Sequence, residues 1–317
     1  MAEKFNYILM IDDDVILPPD FPIVVDRFTD KVGCIGYSIE STGPNGEKGN
    51  IIQQCQDIEY KLSGLNKAFQ AKLGSAIFPH GAIILWKRTV ILKLFKIYPF
   101  YNISEECYFG LIGRKSGYRV DFCSQIFLKT DMPKNLFWPS GGRGGYGEMT
   151  VFKQRFYRWN FFRLYRMLTN MHYIMFCWKL GLAEIIVKFY IFQEVYINFI
   201  WMLSPITLPM AFWLDWKHVL IMNAIVSAAY LIGLLFFNVW HLRKKECMFS
   251  WWILIFYLPY KFALSYLNIA SLAYSYIKYG TYFAKKHVKI SKDTTFTKFV
   301  DEFGTSTEKS EAAKNSQ

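Results

Sequence analysis

The chain has 317 residues, 53% of them hydrophobic and 19% aromatic, with 20% charged. That balance excludes a disordered chain and is rich for a purely soluble one. A formal net charge of +12 suits nucleic acid, anionic lipid or phosphate-bearing substrates without choosing among them. Six cysteines, at 34, 55, 107, 123, 177 and 247, form no C-x-x-C pair and no zinc spacing, so they read as reduced thiols. The opening MAEKFNYILMIDDDV has a short apolar run ended by three aspartates, which does not fit a secretory signal.

In chain order, Tyr7 to Ile11 reads as a buried strand that ends in Asp12, Asp13 and Asp14. Val32 to Ile39 reads as a second strand, followed by a Gly/Pro/Asn turn at 43–50. Gln54, Ile58, Leu62 and Leu65 at helical spacing predict an amphipathic helix over 51–73. Ala82 to Trp86 is a further strand and Thr89 to Phe95 a short helix. A helix over 104–116 stops at Gly117, and Tyr118 to Phe122 is again a strand. Alternation of this kind predicts an α/β layer with a mostly parallel sheet over residues 1–147. The Gly/Pro-rich stretch 131–147 reads as a mobile loop.

Residues 148–182 are helical in pattern and mix Arg155, Arg158, Arg163 and Arg166 with many aromatics, as helices in a headgroup layer do. Residues 183–280 then turn apolar. Val195 to Leu214 and Val219 to Leu242 carry no charged side chain, and Met248 to Ile277 carries only Lys261. Each run is about one bilayer crossing, which predicts about three transmembrane helices and an integral, multi-pass protein. Trp201, Trp213, Trp216, Trp240, Trp251 and Trp252 lie near the ends, as interfacial belts do. Pro205 and Pro209 predict a kink in the first span. Arg243, Lys244 and Lys245 place their loop in the cytosol, yet three spans would then put the lysine-rich tail outside, against the same rule. Whether 248–277 crosses, or another crossing hides in 171–194, stays open. Residues 281–317 read as a polar, disordered tail.

Three clusters carry chemistry. Asp12, Asp13 and Asp14 repel one another at a strand end and call for a hard cation, Mg²⁺ or Mn²⁺, shared with substrate phosphates; a solvated turn is the plain alternative. Glu105 and Glu106 follow Ser104 at a helix start, where they either complement the helix dipole or include a general base. Gln154-Arg155-Phe156-Tyr157-Arg158-Trp159 offers forked donors for phosphate and a flat ring for a sugar; the alternative is a basic helix lying on lipid, above all for Arg163 and Arg166. Asn102-Ile103-Ser104 also matches the glycosylation acceptor pattern. The basic residues are spread along membrane-flanking segments, which argues against nucleic acid.

Taken in order, these clusters resemble the processive family 2 glycosyltransferases, the cellulose, chitin and hyaluronan synthase group. Asp12-Asp13-Asp14 looks like that family's D-x-D, Ser104-Glu105-Glu106 like its T-E-D, Asp131-Met132-Pro133 like its acidic-x-Pro, and Gln154, Arg158 and Trp159 match Q-x-x-R-W. The likeness covers roughly residues 5–170. It implies a GT-A-like domain, of which the chain carries only the back half, since its start lies just before the D-x-D strand. It also implies roles: Asp14 and Asp12 at the metal and donor; Glu106, beside Glu105, as general base; Arg158, Gln154 and Arg155 on the donor diphosphate. Trp159 would line the acceptor site, with His80 and Gly81 at the sugar. Glu106 departs from the usual aspartate by one methylene. The implied partners are a UDP-sugar, a glycan or lipid acceptor and the bilayer, with the catalytic part facing the cytosol. A single-sugar lipid product would mark a non-processive relative, and metal-dependent UDP binding would exclude a non-catalytic membrane protein.

Overall fold

A computed structural model describes residues 6–98, 105–138, 149–159 and 163–286, without the side chains of Tyr157, Arg158, Leu164, Tyr165 and residues 279–286. Asn102-Ile103-Ser104, most of the glycine-rich loop (139–148) and the tail from 287 lie outside the described residues.

The first half is a five-stranded sheet with helices on it. The strands are β1 (Tyr7–Ile11), β2 (Val15–Ile16), β3 (Val32–Thr42), β4 (Ile83–Lys87) and β5 (Arg119–Asp131), in spatial order β1-β4-β3-β5-β2. Among the described residues, only β3 and β5 pair in parallel; β1 with β4, β3 with β4 and β2 with β5 are antiparallel. The expected mostly parallel sheet is therefore corrected to a mixed, mostly antiparallel one. The reason is that β3 and β4 are covered on both faces, so their near-continuous apolar runs mimic those of parallel strands. Within β4, Ile84 and Trp86 join one core with Cys34, Val90 and Phe109, while Ile83 and Leu85 join another with Ile35 and Tyr37.

Helix α1 (Ile51–Leu73) starts where the sequence supplies a capping box. The Gln53 N–H donates to Asn50 Oδ1 at 3.0 Å, and the Asn50 N–H donates back to Gln53 Oε1 at 3.1 Å. The helix lies close on the sheet at Gly64, where an added Cβ would sit 2.8 Å from Ser38 Oγ. Helices α2 (Arg88–Phe95) and α3 (Glu105–Lys115) bury Val90, Leu94 and Phe109 against Trp86.

The second half begins with a short helix α4 (Val151–Lys153), capped by Thr150, that runs into a π-helical turn (Gln154–Trp159). Then come α5 (Arg163–Phe176), α6 (Ala183–Phe236, continuing as a π-helix to Leu242) and α7 (Ile253–Lys286). At 54 residues, α6 would be about 80 Å long if straight. Yet its first residues touch Gly74 at the end of α1, while Leu234 and Phe237 share a core with Cys55 and Ile58 near the start of α1. Those two places on α1 are only about 25 Å apart. The helix therefore folds back, and the one non-helical residue inside it, Asp215 (φ −158°, ψ 79°), is where it does so.

Pro205 and Pro209 lie inside the helix, and its non-helical break falls later, at Asp215. Pro205 leaves the Trp201 carbonyl without its usual donor, and the Ser204 hydroxyl donates to that carbonyl at 2.8 Å. Two helical stretches, Ala183–Lys245 and Ile253–Lys278, are long and apolar enough to cross a membrane. The runs 195–214 and 219–242 are the outgoing and returning arms of the first. Ile206, Met210, Trp213, Leu214, Ile221 and Val226 on those arms are all exposed.

Candidate active site

The three aspartates stand just beyond β1. The Asp12 N–H donates to the Ala82 carbonyl at 2.9 Å, extending the β1–β4 pairing by one residue. The Val15 N–H returns to the Asp12 carbonyl, and Asp131 donates its N–H to the Asp14 carbonyl, so the turn is tied to β4 on one side and β5 on the other. Asp12 and Asp13 are exposed and Asp14 is partly buried. Among the described residues, no group of three or more His, Cys, Asp or Glu could hold a metal ion. Two carboxylates one residue apart do not make an all-protein cage. They do fit a Mg²⁺ or Mn²⁺ ion that takes its other ligands from a diphosphate and water.

Glu106 reaches the same corner from α3. A Cβ on Gly81 would lie 3.4 Å from the Glu106 carboxyl carbon, an ordinary contact, so the carboxyl packs beside residue 81. Gly81 directly precedes Ala82, the partner of Asp12. Residues 12, 81 and 106 thus lie at one corner of the sheet. Glu105 sits in the first turn of α3 next to Glu106, partly buried.

His80 connects this corner to the π-helical turn. Its ring lies 6.3 Å from that of Tyr60, edge-on, and Tyr60 lies 6.3 Å from Trp159. The path Trp159–Tyr60–His80–Gly81–Glu106 is therefore continuous. Burial, helped by Lys67, holds the His80 imidazole well below its usual range, so it is neutral at pH 7. Its Nε2 is buried with no hydrogen-bond partner among the described residues. Gln154 is buried in the π-helical turn, and its Oε1 likewise has no partner among the described residues. The wide turn brings Gln154 and Trp159 one turn apart on one face, and such turns recur at functional sites. Arg158 occupies that turn, but its side chain lies outside the described residues.

Arg155, expected on the diphosphate, has partners of its own within the protein. Its guanidinium pairs with Glu59 at 3.0 Å and lies over the Trp159 ring, 4.3 Å from the centroid. In this arrangement it braces Trp159. Lys261, the isolated charge in the third apolar run, donates to the other oxygen of Glu59 at 2.8 Å. The lipid-facing reading of Arg163 and Arg166 is also corrected. Arg166 pairs with Glu194 of α6, and Arg163 donates to Asn198 Oδ1 at 3.0 Å and lies over the Trp201 ring. Both arginines face the apolar helix and the site, because α6 carries the acceptors they need.

Around Glu106 the charges are dense. Burial raises its carboxyl above the ordinary range, and the Cys107 thiol, Arg166 and Lys67 pull it back only in part. Burial pushes the Lys67 ammonium down to about 8, and its Nζ lies 3.8 Å over the Phe78 ring. Sequence reasoning missed Lys67, Tyr60, Glu59 and Glu194. All four sit in apolar or amphipathic helical patterns where single polar residues carry no spacing signal.

Residues 1–139 match the model of a family described as glycosyltransferase like family 2. That family-2-like domain supports a glycosyltransferase, with a sugar-nucleotide donor and a glycan acceptor in general terms. The match ends before the π-helical turn, so Gln154 to Trp159 stand on their own geometry. No curated protein matches the chain.

Proposed function

We propose that the chain belongs to a membrane-bound, inverting glycosyltransferase that moves a sugar from a UDP-sugar to a growing polysaccharide at the cytosolic face of a bilayer. The observation that carries this reading is the lodging of the Glu106 carboxyl against Gly81, beside the strand end that bears Asp12, within a family-2-like domain.

In the proposed reaction an acceptor hydroxyl attacks the anomeric carbon of the donor and forms the new glycosidic bond. The bond from that carbon to the diphosphate oxygen breaks, and UDP leaves with the electron pair. Glu106 takes the hydroxyl proton; burial raises its carboxyl above the ordinary range, which makes it a stronger base than an exposed glutamate. No covalent enzyme intermediate is needed. Mg²⁺ or Mn²⁺, held by Asp12, Asp14 and the diphosphate, would supply charge neutralisation of the leaving group. Gln154 and Arg158 would steady the diphosphate. Trp159, pinned by Arg155 and Tyr60, would stack on the acceptor sugar. The two arms of α6 and helix α7 would make three crossings, with Trp213, Asp215, Trp216 and Lys217 at the far end of the hairpin.

The test supplies UDP-sugars and Mn²⁺ to membranes carrying the full-length protein. Glu106→Gln should lower sugar incorporation by about 10²–10⁴-fold. Equal incorporation would sink the assignment of the base. A product of one sugar on a lipid would replace the polymer.

A further inference from the structure

Helix α6 is apolar and exposed over most of its length, yet it carries a partly buried carboxylate, Glu194, one ion pair away from the catalytic corner. Glu194 pairs with Arg166 of α5. Arg166 in turn donates from Nη1 to Cys107 Sγ at 3.2 Å. The Cys107 thiol donates to Glu106 Oε1 at 3.5 Å. These contacts form one directed chain across three helices, in which each donor is set by the group behind it. The Arg166 guanidinium also lies over the Phe78 ring, whose other cation is Lys67 of α1.

We propose that Lys67, Arg166 and Cys107, anchored by Glu194, are positioning residues that aim and hold the Glu106 carboxylate, and so tie the candidate base to the first membrane-side helix. The inference rests on the reading of Glu106 as base for its meaning, though not for its test. It accounts for a costly arrangement. Two cations and a carboxylate are withdrawn from water here, and an arginine fully satisfied by Glu194 would have no need of a thiol.

The groups that face Glu106 are Lys67 from α1, His80 beside Gly81, Arg166 from α5 with Arg163 behind it, Glu194 through Arg166, and Glu105 and Cys107 on its own helix. His80 is neutral near pH 7 and the Cys107 thiol is pushed up to about 12, so neither changes charge near neutrality. Lys67 and Arg166 are the cations that favour an ionised Glu106.

The experiment is an infrared pH titration of the full-length protein in lipid, with the Glu106 carboxyl band assigned by its loss in Glu106→Gln. Lys67→Met should move the Glu106 midpoint up by about one pH unit, and Lys67→Arg should keep it in place. Cys107→Ala, a small truncation that preserves packing, should move it up by less. A midpoint unmoved in both Lys67→Met and Cys107→Ala overturns the proposal. Sugar transfer read on the same samples separates the two claims. A midpoint that moves as expected while Glu106→Gln retains full activity removes the base assignment and leaves the positioning network standing.

Discussion

Two glutamates of the same domain are treated oppositely by the helices that follow it. Glu59 of α1 and Glu106 of α3 both lie in the protein, and both meet cations sent from the second half of the chain. Glu59 is gripped directly. Arg155 lies at 3.0 Å, Lys261 at 2.8 Å, and the Tyr260 hydroxyl donates at 3.2 Å. Burial alone would raise its carboxyl, but these partners overcome burial and hold it below the ordinary range. Around Glu106 burial wins: the Cys107 thiol donates to it at 3.5 Å, and Arg166 and Lys67 lower its carboxyl only in part. A carboxylate held by ion pairs is a fastener, and one whose burial outweighs its cations is available for a proton. The difference separates the joint between the two halves from the candidate site.

The sharpest way to break this comparison is to neutralise each glutamate in turn. Glu59→Gln leaves the largely buried Arg155 without its anion and should cost about 3 kcal/mol in thermal or denaturant unfolding. Most of that belongs to Arg155, since Lys261 is 41% exposed and screened. Glu106→Gln should stay within about 1 kcal/mol of wild type, since it removes a carboxyl whose ionised form burial disfavours. Equal losses in the two variants would dissolve the distinction.

Next in size is the effect of crowding the Glu106 carboxyl. Gly81→Val places methyl groups beyond a Cβ that already stands 3.4 Å from the carboxyl carbon. Sugar transfer should fall by roughly 10²-fold while the unfolding transition changes little. Gly81→Ala, in ordinary contact, should be tolerated.

The smallest effect concerns a third carboxylate, Asp57, which lies between the two cases. It pairs with Lys61 at 2.7 Å and accepts the Ser41 N–H at 3.1 Å, yet burial still lifts it from 3.8 to about 6. The folded state therefore binds a proton more tightly than the unfolded chain does. The stability this brings is complete below about pH 4 and is lost as pH rises through about 6. Wild type should lose about 2 kcal/mol across that window, and Asp57→Asn should flatten the profile. A wild-type profile that rises over the same range would show that Lys61 outweighs burial here as Arg155 does at Glu59.

Much of the site was legible beforehand because its signals are local. Three aspartates after an apolar strand, a glycine before another, and two glutamates opening a helix all report on their own backbone surroundings. Glu106, Gly81 and the Asp12 turn do meet. The protein partners of Arg155, Arg163 and Arg166 were not foreseen, for one shared reason. An arginine in an amphipathic stretch looks the same whether it faces lipid headgroups or a carboxylate on a distant helix, and Glu59 and Glu194 lie far from them in sequence.

By itself the amino-acid order determined which segments are strands and helices, where α1 is capped, which runs are apolar enough for a bilayer, and which residues are candidates for acid and base chemistry. Those properties depend on hydrogen bonds and side-chain periodicity within a few residues. The tertiary structure alone decided that β4 enters antiparallel between β1 and β3, that α6 folds back at Asp215, and that one buried glutamate is locked by cations while another is left poised. Strand direction leaves no mark on a doubly covered apolar run. The charge of a buried carboxylate is set by the distance to cations that only folding brings near.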